Sequence, residues 1–181
     1  MEGQHMKKVN VYLYTTARSP NQGKAAYTYV LEMDTAKGTE TRTHTEIVEG
    51  MTPHQAELSA LAAAVKRIFR KCSLMIYTDS KYLAAGAEKW MAGWKKKDWK
   101  NAKGGPVANM QMWQDISCLL EAHEYHFAVG VKHNYYDWMQ SESERAVSSV
   151  YSRGDRRIRA GSGRHKAASL RPGGEKCRPD T

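Results

Sequence analysis

Two acids in this chain stand where their neighbours would hold them still. Glu57 lies in an amphipathic stretch opened by Thr52-Pro53-His54-Gln55, and Asp79 follows the apolar run Leu74-Met75-Ile76-Tyr77 within Thr78-Asp79-Ser80. In open α/β sheets sites are built at the carboxyl ends of strands, so a helix-borne and a strand-end carboxylate together suggest one anionic site. Each has a plain alternative: Glu57 as a solvated helix residue, Asp79 as the N-cap of a helix beginning near Lys81. A second stretch carries different chemistry. Trp90, Trp94 and Trp99 are interleaved with Lys95, Lys96, Lys97, Lys100 and Lys103, and Gly104-Gly105-Pro106 brings the chain back. Lysines displace counterions from phosphates and indole planes offer flat apolar contact for sugars, so the pattern points to a nucleic-acid backbone. Its alternative is a surface protrusion whose tryptophans pack on one another.

The elements that must position these residues follow from caps and periodicity. Thr52 is a hydroxyl N-cap, Pro53 suits the first helical position, and Gln55 completes a capping box. Leu58, Leu61, Val65 and Ile68 recur at helical spacing, with Glu57 bordering the stripe in the first turn, where the helix dipole favours its ionised form. Lys66, Arg67, Arg70 and Lys71 crowd the C-terminal half, which favours cations. Val9, Val11 and Leu13 alternate with Asn10, Tyr12 and Tyr14 in a first strand ending at Thr15-Thr16, and the polar segment Arg18–Gly23 is a turn. Ala25–Met33 and Thr39–Val48 are two further strands joined through Thr35-Ala36-Lys37-Gly38. Leu74–Tyr77 make a fourth strand, and Tyr125, Phe127, Val129 and Val131 a fifth. Helices are expected over Lys81–Trp94, Val107–His123 and around Trp138–Val150. This order predicts an α/β fold whose five-stranded mixed sheet combines a three-strand antiparallel meander with two parallel strands, helices being packed on both faces.

The 181 residues suffice for one domain with a real core and are short for two. Hydrophobic residues make up 41% of the chain, yet no apolar run approaches the length of a membrane-spanning helix. Val9–Tyr14 is too short for a signal-peptide core and alternates as a strand does, so a cytoplasmic protein is expected. Cys72, Cys118 and Cys177 are odd in number and widely spaced, which gives neither a disulfide framework nor a zinc site and fits a reducing compartment. The formal charge of +9 is uneven, with nine Lys/Arg against three Asp/Glu from Val147 onward. That stretch is rich in Arg, Gly and Ser and lacks apolar periodicity. We expect an unstructured leader over residues 1–7, a folded domain over 8–150 and a basic, disordered tail over 151–181. The tail either adds sequence-independent attraction to nucleic acid or is a solvated end.

From about Lys8 to Val147 the chain resembles a type 1 ribonuclease H domain. The likeness is carried by Glu57-Leu58, by Tyr77-Thr78-Asp79-Ser80, and by Trp90 through Asn109 with Trp113-Gln114. The last stretch resembles the basic handle with which that family grips the DNA strand of an RNA/DNA hybrid, through residues such as Trp90, Trp94, Lys95, Lys96, Lys97, Trp99 and Lys100. The resemblance implies a ribonuclease H-like fold, endonucleolytic cleavage of the RNA strand, and two Mg²⁺ (or Mn²⁺) ions held by four acids around the scissile phosphate. Glu57 and Asp79 match the second and third of those acids, as metal ligands and catalytic residues. His133, after Val131-Lys132, resembles the family's mobile histidine, which assists product release or proton transfer; a loop histidine with no role is the alternative. Thr52 and Asn109 match residues that bind a DNA phosphate. His54, Gln55 and Lys81 stand where the family places polar groups around the minor groove.

Two positions depart from the family pattern. In Thr15-Thr16-Ala17-Arg18, Thr16 stands where the first acid belongs in an Asp-Gly-Ser context, and Val147 follows Glu144-Arg145 where the fourth belongs. A hydroxyl cannot replace a carboxylate that bridges two cations, and Asp137, Glu142 and Glu144 are the nearby acids that could partly substitute. Weakened ion binding and weak or lost hydrolysis are the expectation. Three functions remain: a metal-dependent endonuclease with acids supplied from elsewhere, a monomeric module that binds RNA/DNA hybrid or other duplex nucleic acid by shape without cutting, and a degenerate gene product that keeps the fold alone. The retained handle argues against the third, and Thr16 with Val147 against the first.

Overall fold

Apolar side chains on both faces of β1 (Lys7–Thr15) are what a central strand covered on two sides requires: Val9, Val11 and Leu13 point one way, Tyr12 and Tyr14 the other, and all are buried. The computed structural model of the chain describes residues 6–20 and 23–160, with side chains through residue 152. β1 pairs antiparallel with β2 (Lys24–Thr35), and β2 with β3 (Gly38–Glu49) across the turn Ala36-Lys37, where Gly38 takes φ +117°. On its other side β1 pairs in parallel with β4 (Cys72–Thr78), and β4 with β5 (Glu124–Val129), giving the order β3-β2-β1-β4-β5. The outer strand β3 is exposed along most of its length and rich in Thr and charge, which suits an unpaired edge.

α1 (Pro53–Val65) starts in the expected capping box, with Gln55 N donating to Thr52 Oγ1 and Thr52 N donating to Gln55 Oε1. α2 (Lys81–Ala85), a π-helical turn (Gly86–Trp90) and α3 (Met91–Lys96) follow one another directly, and α4 (Met110–Leu120) packs on α1. α5 (Tyr136–Ala160) covers the opposite face of the sheet against β1, β2 and β3. The larger core, with Val11, Leu58, Leu61, Ile76 and Trp113, fills the α1 side; Tyr12, Tyr14, Val30 and Met139 form a smaller one under α5. The five-stranded mixed sheet with helices on both faces is therefore the observed fold. Among the described residues no helix is long and apolar enough to cross a membrane.

Several local expectations are corrected. Glu57 is the fifth residue of α1 and not in its first turn. Arg67 N and Ile68 N bond to carbonyls three residues back, so α1 tightens and stops at Val65 with Lys66 as its C-cap. Arg67, Arg70 and Lys71 thus lie in the connection to β4, and the dipole argument for these charges does not hold. Val131 lies beyond β5, and α5 spans Tyr136–Ala160, longer at both ends than the helix expected around Trp138–Val150. Expectations for residues 1–5 and 161–181 fall outside the described residues.

Trp113 is fully buried, and the π-helical turn seats Gly86 against it, where a Cβ would come within 2.3 Å of two ring atoms. Gly86→Ala should therefore cost about 1–3 kcal/mol, seen as a lower urea midpoint at unchanged m value. An unchanged midpoint would mean that the indole packs elsewhere.

Candidate functional site

Because β1 and β4 are parallel, their C-terminal ends reach the same edge of the sheet, where α1 packs beside β1. Asp79 leaves β4 there. Ser80, not Asp79, caps α2, its Oγ accepting from Leu83 N at 3.1 Å, so the capping alternative for Asp79 falls and its side chain stays exposed. The same Ser80 hydroxyl donates to Glu57 Oε2 at 2.5 Å, and His54 Nδ1 lies 3.3 Å from that oxygen. The Glu57 side chain is 19% exposed, which sets aside the solvated reading. Glu57 and Asp79 line one cavity of about 40 Å³ with Thr15, Thr78 and Arg18.

Arg18 had no place in the sequence reading beyond a polar turn. Its Nη2 donates to Tyr14 Oη at 3.2 Å and its guanidinium lies 5.6 Å from the Tyr14 ring centre, so a permanent cation is held by Tyr14 on a residue that lines the pocket of the two acids. Burial pushes the Tyr14 phenol up, and the Arg18 charge opposes it. The signal available was an arginine two positions after the residue that stands for the first family acid. Thr16 itself is bound to β2: its N donates to Ala26 O at 2.9 Å and its Oγ1 accepts from Ala26 N at 2.9 Å.

On the α5 side, Asp79 meets the first turn of the helix. Burial, and then the charge and hydrogen bonding of Asp79, push the Tyr136 phenol up. Asp79, His133, Tyr136 and Asp137 line a second cavity of about 480 Å³. Val147 lies eleven residues beyond Tyr136, about 16 Å along the helix axis. Of the acids on α5 it is thus Asp137 that accompanies Asp79, while Glu142 pairs with Arg145 at 3.1 Å and Glu144 accepts from Gln140 at 3.1 Å. His133 does not hang in an open loop. Its ring packs on Tyr12 at 4.6 Å, with Tyr77 and Tyr136 at 5.9 and 6.0 Å, and its buried Nδ1 has no hydrogen-bond partner among the described residues.

Among the described residues no three His, Cys, Asp or Glu side chains converge as a metal-ligand set. Glu57 and Asp79 line one cavity with Arg18, and Asp79 lines the next with Asp137. That donor set does not fit a pair of divalent cations, each of which takes several oxygen ligands.

The remaining predicted residues fall into two groups. Thr52, Gln55 and Asn109 come together: Gln55 Nε2 donates to Asn109 Oδ1 at 3.3 Å, and Asn109 opens α4 in the left-handed region at φ 57°, which asparagine tolerates. His54 stacks on Tyr82 with ring centres 3.9 Å apart, and Lys81 is exposed at the start of α2. In the handle, Trp90 is 42% exposed, whereas Trp94 and Trp99 are partly buried against the core. Trp94 meets Trp113 edge-on at 5.5 Å and Trp90 at 5.8 Å. The flat surface offered to a ligand is therefore that of Trp90, and the other two anchor the handle. Asp98 and Trp99 are both left-handed, costing about 1–2 kcal/mol each, a strain that the packing of Trp99 offsets. Lys95 is paired with Glu121, while Lys96, Lys97 and Lys100 are exposed.

A family model described as RNase H matches residues 7–134. The chain belongs to the ribonuclease H family. It is 36% identical over 131 residues to a ribonuclease H of Rhodopirellula baltica, covering 66% of this chain and 78% of that one. It spans 63% of a ribonuclease H of Acidiphilium cryptum and 49% of one from Gluconobacter oxydans. Among solved structures it is similar to LC9-RNase H1, a type 1 RNase H with the type 2 active-site motif, with a TM-score of 0.66 and 17% identity over 80% of this chain and 74% of that one. It is similar too to the foamy viral protease-reverse transcriptase in complex with RNA/DNA hybrid, with a TM-score of 0.57 and 16% identity over 71% of this chain and 18% of that one. These structural likenesses speak to the ribonuclease H fold alone.

Burial pushes both His133 and His123 below the ordinary imidazole range, the Asp79 charge opposing it at His133. The unfolded chain therefore binds these protons more readily. Their contribution to stability is complete above the unfolded value of about 6.5 and is lost as pH falls from there through the lower folded values. The melting temperature should drop between about pH 8 and pH 5, and His133→Phe should shrink the drop. A rise on acidification would contradict the burial.

Proposed function

We propose that this ribonuclease H-family domain binds RNA/DNA hybrids as a monomer in a reducing, cytoplasmic setting, and that its hydrolysis of the RNA strand is weakened or lost. The observation that carries this reading is the cavity in which Arg18 joins Glu57 and Asp79. A single fixed positive charge stands among the acids, while the family's reaction draws on divalent metal for its nucleophile and leaving group. Hybrid binding does not need that chemistry. Phosphate contacts fall to Thr52 and Asn109, minor-groove contacts to His54, Gln55 and Lys81, and sugar and phosphate contacts on the handle to Trp90, Lys96, Lys97 and Lys100. Residues 161–181 add basic charge and with it sequence-independent attraction.

A second reading rests on Asp137, which shares a cavity with Asp79 and could complete a site for slow cleavage. One set of assays separates the two. A labelled hybrid should bind with affinity that falls steeply with salt, and Lys96→Glu with Lys97→Glu should weaken it about tenfold and flatten the salt slope. The same hybrid incubated with Mg²⁺ or Mn²⁺ should stay intact. Cleavage that disappears in Asp79→Asn would favour the second reading, and salt-independent binding would refute the electrostatic handle. Cleavage should appear when Thr16→Asp and Arg18→Ser are combined, and far less with Thr16→Asp alone, because the Arg18 charge would still line the pocket and repel a divalent cation.

A further inference from the structure

The segment that carries His133 is tied down at two points. At its start Gly130 N donates to Thr78 O at 3.0 Å, next to Asp79. At its end the Tyr135 hydroxyl donates to Glu32 Oε2 at 2.5 Å, a charge-assisted bond between residues 103 apart in the chain. Glu32 stands half-buried on β2, and its other oxygen accepts from Asn10 Nδ2 at 2.9 Å and from Tyr12 Oη at 3.1 Å, both on β1. Between the two ties the His133 ring lies against Tyr12, which stacks on Tyr77 at 4.6 Å and meets the Tyr135 ring at 4.9 Å. Val131, Lys132 and Asn134 are exposed, so apart from the histidine ring this stretch has nothing buried to hold it.

We propose that Glu32 and Tyr135 are positioning residues, which hold the His133 segment folded onto the sheet and so preset one wall of the Asp79 cavity for a bound hybrid. A half-buried carboxylate is costly to place in a sheet, and apolar side chains would fill the same space. Its three donors do what apolar contact cannot, because they accept one arrangement of β1, β2 and the approach to α5. Lys132, His133, Tyr136 and Asp137 line the cavity of about 480 Å³ with Asp79, so whatever fixes the segment fixes that wall. Tyr135 also heads α5, its carbonyl accepting from Met139 N at 2.9 Å, so the same bond sets where the first turn begins. A segment already in place loses little freedom when a duplex arrives, which favours binding. The use for hybrid rests on the function proposed above; the holding of His133 does not.

The test uses the full chain, isotopically labelled for NMR, at about pH 8, where imidazole is neutral. Tyr135→Phe removes one hydroxyl and keeps the ring. It should move the His133 ring-proton signals, which the neighbouring Tyr12 ring displaces, toward those of free histidine. It should also speed amide hydrogen exchange over residues 131–136 at least about tenfold, with the amides of α1 and β4 unchanged. Glu32→Gln should do the same, and the double variant no more than either alone. Hybrid affinity should fall about three- to tenfold in each. Asn10→Ser, which takes a different donor from Glu32, should leave the His133 signals in place. Unmoved His133 signals in Tyr135→Phe, or equal movement in Asn10→Ser, would overturn the positioning role. A released segment with unchanged hybrid affinity would overturn its bearing on the hybrid. Absence of hybrid binding by the unaltered chain, with His133 released in the variants as expected, would count against the proposed function alone.

Discussion

Parallel pairing of β1 with β4, register Lys7 to Cys72 through Tyr12 to Tyr77, forces both strands to finish at one edge of the sheet, and every candidate site residue is placed relative to that edge. Asp79 is delivered by the end of β4, Arg18 by the chain leaving β1, and Glu57 by the helix packed against β1. An antiparallel pairing would send one of these groups to the far end. The same constraint creates the opposite end, where Lys7 and Cys72 start their strands beside a basic, apolar-floored groove. One topological choice thus yields two chemically distinct poles. The cover on each face keeps them apart, α1 and α4 on one side and α5 on the other.

Electrostatics then shapes the acidic edge. Two carboxylates line one small cavity, and Arg18, a permanent cation, lines it with them. Tyr14 positions Arg18, Ser80 and His54 hold Glu57, and Tyr136 meets Asp79 from α5. The handle shows a comparable division of labour. Trp94 and Trp99 are anchored in the core and Lys95 is held by Glu121, which leaves Trp90, Lys96, Lys97 and Lys100 facing outward. Elsewhere on the α5 face, Glu32 accepts from Tyr135 at 2.5 Å, from Asn10 at 2.9 Å and from Tyr12 at 3.1 Å, and these bonds, that of Tyr135 first, hold its carboxyl below the usual range. That network ties β1, β2 and the start of α5 together behind His133.

What was legible in the sequence is what short-range chemistry determines. The capping box at Thr52 and Gln55 involves residues three apart and appears as written, as do the alternating strands and the hairpin at Ala36-Lys37. The convergence of Glu57 with Asp79 was legible through the carboxyl-end rule and the family likeness. Arg18 was not, because its role depends on which edge a polar turn faces, and no periodicity records that. Asp79 and Ser80 compete for the same cap by composition, and only the backbone path decided for Ser80. The helical stretch after Lys81 hid a π-turn, since a tolerance for Gly86 against Trp113 is a matter of tertiary packing. Counting along α5 placed emphasis on Val147, whereas the helix meets Asp79 in its first turn, beside Asp137.

On the function proposed for it, the acidic pocket lined by Glu57, Asp79 and Arg18 does not take a pair of divalent ions. Calorimetric titration of the unaltered chain with Mn²⁺ tests it most directly, without substrate or turnover. No binding tighter than about millimolar is expected. Two ions bound at micromolar concentration, with both lost in Glu57→Gln, would contradict it.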